Sequence, residues 1–218
     1  MCNLYSMNRS QAEIVALARA MRDRSGNMPP LPGIFPDYEA PIVRSGEGGE
    51  RELVKARWGM PCPPQLGGRP ITNIRNLKSP HWRPWLGVSS RCVVPFTSFC
   101  EYADTKPRKT PTWFALAQDR PLAFFAGISG TWHGSRGTKA NRVEGEHLLF
   151  GILTTRANAE IASVHPQAMP VILRMPEEVE MWLSAPLEEA LRLQRPLADA
   201  SLHVVAMGER EDRLPGAS

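Results

Sequence analysis

Short apolar segments separated by turn residues recur along the chain, and this pattern is typical of β-strands rather than of long helices. Residues 42–43 and 53–58, joined by a glycine-rich turn at 46–49, predict a hairpin. A second hairpin is expected around a turn at 106–110. The remaining predicted strands are 71–76, 91–95, 99–102, 112–117, 122–128, 147–154, 169–173 and 203–207.

Helical spacing of apolar residues is confined to the beginning and the last third of the chain. The sequence from Ser10 to Glu13 is a capping box, the apolar spacing runs on to Met21, and Gly26 is the predicted stop. Three later helices are predicted at 156–164, 176–183 and 187–193. Because strands do not alternate with helices, we predict an α+β fold with a largely antiparallel, barrel-like sheet and flanking helices.

Length and composition fit one ordinary globular domain. The chain has 218 residues, of which 42% are hydrophobic and 22% charged, so it can bury a sizeable core. We expect a single domain over 1–218 with its core at about 2–207 and a frayed polar tail at 209–218. No leader-like or membrane-length apolar run is present, so we expect a cytoplasmic protein with no membrane partner. We also expect it to be a monomer.

The four cysteines are spaced unlike those of a metal site or a disulfide framework. Cys2, Cys62, Cys92 and Cys100 contain no CxxC pair and no histidine at zinc-finger spacing. We therefore predict reduced thiols, with no metal and no cofactor.

Charge is distributed unevenly. From residue 53 to residue 100 there is no acidic residue, whereas seven of the residues are lysine or arginine, against a net charge of +4 for the whole chain. Trp58, Trp82 and Trp85 lie in the same segment. Cations for phosphates and rings for unstacked bases are typical of single-stranded nucleic acid binding. A solvated basic face above core tryptophans would produce the same pattern, and composition leaves both interpretations open.

Cys2 is the main candidate for chemistry. Removal of the initiator Met1 would leave Cys2 with a free α-amine beside its thiol, a 1,2-aminothiol that condenses with an aldehyde and closes a thiazolidine ring. An α-amine titrates near ~8, so part of it is neutral and nucleophilic at physiological pH. The alternative is that Cys2 is simply a small buried hydrophobic residue.

Five further residues have the properties of a reactive site. Glu101 is the first carboxylate after residue 52 and stands among apolar and aromatic residues, where burial would raise its pKa toward that of a general acid–base. His165 lies in a predicted turn, where it could transfer protons. Asn73 could hold a substrate hydroxyl or the N-terminal amine, Arg75 on the same strand face could bind a phosphate, and Thr154 could add a hydroxyl. Each also has an ordinary structural interpretation.

Together these residues resemble a known family. An initial Met-Cys, Asn73-Ile74-Arg75 after a basic Trp-Gly segment, Phe99-Cys100-Glu101-Tyr102, and Thr154 followed by His165 and then Met169-Pro170-Val171 occur in one order. In that order the chain resembles the SRAP family, the SOS-response-associated peptidase-like or abasic site processing proteins, over nearly its whole length.

The resemblance implies an enzyme of the DNA damage response that binds single-stranded DNA containing abasic sites. Cys2 would capture the sugar aldehyde as a covalent thiazolidine crosslink and so protect the lesion. Asn73 would contribute to catalysis, Glu101 would assist imine formation and release, and His165 would transfer protons at sugar ring opening. Arg75 and Thr154 would contact the DNA, and Trp58 of the basic segment is a further predicted DNA contact. The family name also records a peptidase activity, for which the sequence shows no separate triad.

This chain departs from the family pattern at three places. Asn3 and Leu4 replace the usual Gly-Arg, Tyr38 stands where an asparagine is common, and Gln167 lies where a His-x-Arg-Met-Pro pattern has arginine. These changes predict an altered DNA path. Two alternatives remain at this stage, namely an N-terminal-nucleophile amidohydrolase that uses Cys2 and a non-catalytic module that binds single-stranded DNA.

Overall fold

Two β-sheets, one of them closed into a barrel, form the architecture of the protein. The computed structural model describes residues 2–46, 48–63, 68–137 and 140–213. The strands in this part of the chain are β1 (Tyr5–Met7), β2 (Arg22–Asp23), β3 (Leu31–Ile34), β4 (Glu39–Ser45), β5 (Arg51–Trp58), β6 (Asn73–Ile74), β7 (Arg91–Phe96), β8 (Ser98–Ala103), β9 (Thr110–Ala115), β10 (Ala123–Gly137), β11 (Arg142–Thr155), β12 (Met169–Pro170), β13 (Ile172–Leu173) and β14 (His203–Met207).

Helices are short and lie outside the sheets. They are α1 (Gln11–Ala18), α2 (Ala159–Ala162), α3 (Pro176–Ser184) and α4 (Leu187–Ala190), with 3-10 helices at Pro80–Trp85, Val88–Ser90 and Leu191–Leu193. Within the described ranges, no helix has the length and apolar character needed to cross a membrane.

Five strands close the barrel. The order β11-β10-β7-β4-β5 is antiparallel throughout, and β5 returns to β11 through a parallel pairing of Trp58 with Phe150. Inside the barrel the Trp58 and Phe150 rings stack with centroids 6.3 Å apart. The predicted α+β fold with a mostly antiparallel, barrel-like sheet is confirmed.

The second sheet has the order β14-β9-β8-β1-β3 and packs against the barrel. Strand β7 of the barrel is followed after Thr97 by β8 of the second sheet, so one chain segment links the two. Phe96 and Phe125 stack at 3.9 Å between ring centroids, and the edges of Phe99 and Tyr5 pack on the same Phe125 ring. This aromatic layer holds β1, and with it the N-terminal residues, against the barrel.

The first helix is shorter than its sequence pattern predicts. The capping box at Ser10 and Glu13 is confirmed, but the helix ends at Ala18 because Arg19 adopts a left-handed conformation with φ 52°. Arg22 and Asp23 then pair in parallel with β5, which forbids helical continuation to Gly26. The helix predicted at 156–164 is likewise only four residues long, because Asn158 caps its start.

The predicted frayed tail is wrong for residues 209–213. Asp212 is only 2% exposed, and its backbone N–H donates to the Pro32 carbonyl at 2.9 Å. The Trp113 indole N–H donates to the Glu209 carbonyl at 2.9 Å. The polar composition of this segment predicted exposure to solvent. The residues that bury it lie far away in sequence, so composition could not reveal them. Residues 214–218 of the predicted tail lie outside the described residues.

A buried ion pair fastens the C-terminal segment to the second sheet. Arg120 donates from Nε and Nη2 to the two Asp212 carboxylate oxygens at 2.7 and 2.9 Å, and the Ser98 hydroxyl donates to Asp212 Oδ2 at 2.5 Å. The Arg120 and Asp212 side chains are 10% and 1% exposed. A bidentate pair with this burial fixes geometry as well as charge.

We expect Asp212→Ala to lower the free energy of unfolding by about 3–5 kcal/mol, because it leaves the Arg120 guanidinium buried without its counter-charge. Urea unfolding followed by tryptophan fluorescence measures this change. Arg213→Ala is the matched control, since Arg213 pairs with Glu211 at the surface and should change stability by less than about 1 kcal/mol. Equal stability of the two variants would contradict the assignment of Asp212 as an anchor.

Candidate active site

Cys2 is buried three residues before β1, a strand of the second sheet. The residue is 1% exposed, and its thiol donates to the Leu4 carbonyl at 3.5 Å. The same Leu4 carbonyl accepts the Cys100 backbone N–H at 2.9 Å, and Tyr5 pairs with Phe99. The register between β1 and β8 is therefore fixed, and it brings Cys2 beside the strand that carries Glu101.

Asn73 holds the backbone of Cys2 from the barrel side. Strand β6 runs parallel to β11, with Asn73 opposite Ile152. The Asn73 side-chain NH₂ donates to the Cys2 carbonyl oxygen at 2.7 Å. Since a carbonyl oxygen only accepts, this contact sets the orientation of the Asn73 amide group. Its Oδ1 is buried and has no hydrogen-bond partner among the described residues, so an acceptor is left next to Cys2.

Glu101 supplies an acid–base group at the same place. It lies on β8, is 2% exposed, and burial raises its pKa to about 7. Burial, and secondly the charge of Glu101, raise the pKa of the Cys2 thiol well above its ordinary value. The resting thiol is therefore protonated at neutral pH, and reaction through sulfur requires a base to take its proton. Glu101 titrates in the range where it can do so.

Arg75 and Thr154 lie next to each other where β6 ends beside β11. The Arg75 guanidinium donates to the carbonyls of Thr155 at 3.3 Å and Gln167 at 2.6 Å, and no ion pair to Arg75 occurs among the described residues. An exposed arginine held in this way keeps further N–H groups for an anion. Thr154 is 1% exposed, so it lies below the surface, and its contact with DNA stays a prediction.

His165 lies in the loop that follows α2. Its backbone N–H donates to the Ile161 carbonyl at 2.6 Å, and the Arg75–Gln167 contact ties the same loop to β6. Partial burial lowers the pKa of the His165 imidazole, and the positive charge of Lys109, in the β8–β9 turn, lowers it further. The imidazole is therefore mostly neutral at physiological pH and able to accept a proton.

Trp58 does not occupy the position predicted for it. The residue is 0% exposed, its indole N–H donates to the Thr72 carbonyl at 3.1 Å, and Tyr5 packs edge-on at 5.1 Å. Its ring therefore cannot stack on a base, and the prediction that Trp58 contacts DNA is wrong. Trp58 instead supports β6 from within the barrel.

The basic segment at 53–100 is partly structural. Arg91 is 2% exposed and donates to the carbonyls of Leu86, Trp182 and Ala185, while Arg57 pairs with Asp37 and Glu39. The acid-free sequence thus overstates the cationic surface, since the acids that neutralise Arg57 precede the segment.

Asn3 and Thr72 belong to the site, although the sequence did not single them out as site residues. The Thr72 hydroxyl donates to Asn3 Oδ1 at 3.2 Å, and the Asn73 NH₂ donates to the Thr72 hydroxyl at 2.9 Å and to Asn3 Oδ1 at 3.3 Å. These hydrogen bonds link the side chains of Asn3, Thr72 and Asn73 into one network. In the sequence, the polar pair Thr72-Asn73 inside an otherwise apolar predicted strand could have indicated that Thr72 belongs to the site.

Cys2, the buried Glu101 and Asn73 thus lie together where the second sheet meets the barrel. The chain belongs to the SOS response associated peptidase (SRAP) family, whose model matches residues 1–210. The resemblance inferred from the motifs is thereby confirmed.

Named relatives agree with this assignment. The abasic site processing protein YoqW of Bacillus subtilis is 33% identical over 147 residues, and YobE of the same organism is 32% identical. The match to YoqW covers 63% of this chain and 60% of YoqW, and the match to YobE covers 63% and 61%. The chain thus spans less than two thirds of the length of these relatives.

Two solved structures share the fold. A protein from Bordetella bronchiseptica superposes with a TM-score of 0.72 at 20% identity, covering 95% of this chain and 98% of the other. A protein from Bacteroides thetaiotaomicron gives 0.70 at 21% identity, covering 93% and 90%. At this identity the likeness speaks for the fold alone.

Proposed function

We propose that this protein captures abasic sites in single-stranded DNA as a covalent thiazolidine on Cys2, after removal of Met1. One observation carries the proposal: Asn73 and Glu101, from different sheets, converge on Cys2, a residue that one cleavage would make a 1,2-aminothiol. Membership of the SRAP family and the names of YoqW and YobE, abasic site processing proteins, support it.

The chemistry needs no oxidant and releases one water. The neutral α-amine of Cys2 adds to the C1′ aldehyde of the ring-opened sugar, and the resulting carbinolamine loses water to give an imine. The Cys2 sulfur then adds to the imine carbon, its proton leaves to a base, and the imine nitrogen takes up a proton as the ring closes. The amine, thiol and aldehyde are all consumed in a stable adduct.

Four side chains have assigned roles in these steps. Glu101, with a pKa of about 7, donates a proton to the departing hydroxyl and accepts the thiol proton at ring closure. The neutral His165 imidazole accepts a proton as the cyclic sugar opens to its aldehyde. Asn73 Oδ1, the buried acceptor beside Cys2, holds the α-amine or a sugar hydroxyl. Arg75 binds the phosphate next to the lesion.

The experiment uses purified protein and single-stranded DNA with one abasic site, analysed on a denaturing gel and by mass spectrometry. We expect a slow-migrating adduct whose mass is that of protein plus strand minus one water. Intact mass of the protein checks in parallel that Met1 is absent. Mature protein that forms no adduct, and that hydrolyses glutamine instead, would replace the proposal by the amidohydrolase alternative.

We expect Thr72→Val to slow adduct formation at saturating DNA about 5-fold, because it removes the hydroxyl that accepts from Asn73 and donates to Asn3 in the network that orients Asn73. Thr72→Ser is the matched control, since it keeps the hydroxyl that bonds Asn3 and Asn73, and it should react at the wild-type rate. Single-turnover kinetics on denaturing gels measure both rates. Equal rates for the valine and serine variants would remove Thr72 from the positioning network.

A further inference from the structure

An aromatic cavity lies outside the Cys2 site, beside the long hairpin formed by β10 and β11. Its volume is about 630 Å³, and Trp85, Trp132, His81 and Arg136 are among the residues that line it. No acidic side chain occurs among the described residues of its lining. The cavity thus combines flat rings with positive charge, and the chemistry proposed for Cys2 uses none of these residues.

Two glycines let the indoles lie against the backbone of β10. A Cβ atom built on Gly130 would come within 2.6 Å of the Trp85 ring, and one built on Gly134 within 2.0 Å of the Trp132 ring. Because side chains alternate along a strand, 130, 132, 134 and 136 share one face. Any side chain at either glycine would displace an indole, so the strand is shaped to seat both rings.

Arg136 stands next to the Trp132 ring on this face. Its guanidinium carbon is 4.6 Å from the ring centroid, and Nη2 donates to the Gly59 carbonyl at 3.0 Å. The residue is 7% exposed, and its Nε has no hydrogen-bond partner among the described residues. The cation–π contact and the Gly59 bond orient both the ring and the cation.

The cavity lies close to the reactive site in the fold. Thr72 contacts Asn3, its neighbour Ile71 bridges Met60, and Pro61 next to Met60 lines the cavity. The Pro61 carbonyl also contacts the His81 ring at 3.0 Å. On this path only Ile71 and Met60, joined by a β-bridge, lie between Thr72 and Pro61. A DNA strand leaving Cys2 past Asn3 therefore reaches the cavity within a few nucleotides.

We propose that this cavity is a stacking site for an unpaired base of the strand whose abasic position lies at Cys2. An indole face accepts any base, and Arg136, which lies over one face of Trp132, adds positive charge, as in proteins that bind single strands without sequence preference. The inference rests on the proposed function and names the rings that the strand uses: Trp85 and Trp132 take the role that the sequence predicted for Trp58.

Binding of an unmodified single strand tests the site without any crosslink. We expect Trp132→Ala and Trp85→Ala each to weaken binding roughly 5- to 150-fold in fluorescence anisotropy. The slope of binding against salt should be unchanged, because an indole releases no counterion. Trp132→Phe should lose less than Trp132→Ala. His133→Ala is the control, since His133 lies on the opposite face of the same strand and is exposed, and it should bind like wild type.

A second measurement locates the contacted base. Tetrahydrofuran spacers replace single bases at successive positions on either side of the lesion, and each strand is bound to wild type and to Trp132→Ala. At the contacted position, removing both the base and the indole should weaken binding no more than removing either one alone. Additive losses at every position, or wild-type affinity of Trp132→Ala, would overturn the inference. Wild-type protein that shows the coupling but forms no adduct would refute the Cys2 chemistry and leave the stacking site standing.

Discussion

Cys2→Ser should abolish the crosslink that withstands a denaturing gel while leaving the protein folded. The serine variant keeps an α-amine, so it still forms an imine with the abasic aldehyde, but its hydroxyl is a far weaker nucleophile than sulfur. The imine returns to amine and aldehyde by taking up water. The expected loss of stable adduct is complete, which makes this the largest effect that the proposed mechanism predicts.

Reductive trapping of the imine distinguishes a variant that has lost only the thiol from one whose whole site is disrupted. Sodium borohydride reduces an imine to a stable amine, so Cys2→Ser should yield a crosslink only when the reductant is present. A protein carrying an uncleavable N-terminal extension is the matched control, because it keeps the Cys2 thiol and lacks the free α-amine. That protein should give no adduct under either condition. A stable adduct formed by the extended protein would show that another group captures the aldehyde.

Cys62→Ser controls for thiol reactivity in general. Cys62 lines the aromatic cavity rather than the Cys2 site, and at saturating DNA its replacement should leave the rate of adduct formation unchanged. The other two cysteines are fully buried, and burial raises the pKa of the Cys92 thiol to about 12. A cysteine of this kind is chemically inert. Cys2 is distinguished from it by the α-amine that removal of Met1 would create.

Local patterns in the sequence predicted those parts of the structure that depend on neighbouring residues. The hairpin of β4 and β5, the strands around Glu101 and the capping box of α1 follow from turn chemistry and apolar spacing. The motif order identified the family without any structural information. Asn73 and Glu101 were named as members of one site, and the structure brings both to Cys2.

The features that sequence reasoning missed depend on residues far apart in the chain. Trp58 looked like a stacking residue because its neighbours are basic, but the parallel pairing of β5 with β11 turns it into the barrel. Asp212 was predicted to be exposed in a polar tail, but the fold buries it beside Arg120, which lies 92 residues earlier. Trp132, remote from the basic segment, joins Trp85 only through the fold of β10. No local pattern encodes such pairings.

Glu101→Gln should slow adduct formation about 10²- to 10⁴-fold, since it removes the general acid–base while keeping the shape of the side chain. The pH dependence is the sharper measurement. Because burial raises the pKa of Glu101 to about 7, ring closure in wild type should accelerate as pH rises through 7, when the carboxylate becomes available as a base. Reversal, which needs a proton donor, should accelerate as pH falls through 7. The glutamine variant should show neither inflection.

The stability of the Glu101→Gln variant provides an independent test, because the substitution that slows the reaction should stabilise the fold. The pKa of Glu101 is about 7 in the folded protein and near 4.5 in the unfolded chain. The folded protein therefore binds this proton more tightly, and the free energy of unfolding of wild type falls as pH rises from 4.5 to 7. A shift of this size corresponds to about 3 kcal/mol. Glu101→Gln, which carries no charge, should therefore be more stable than wild type above pH 7 and yet react more slowly. A variant that is both slower and less stable at pH 8 would indicate that Glu101 supports the fold rather than the chemistry.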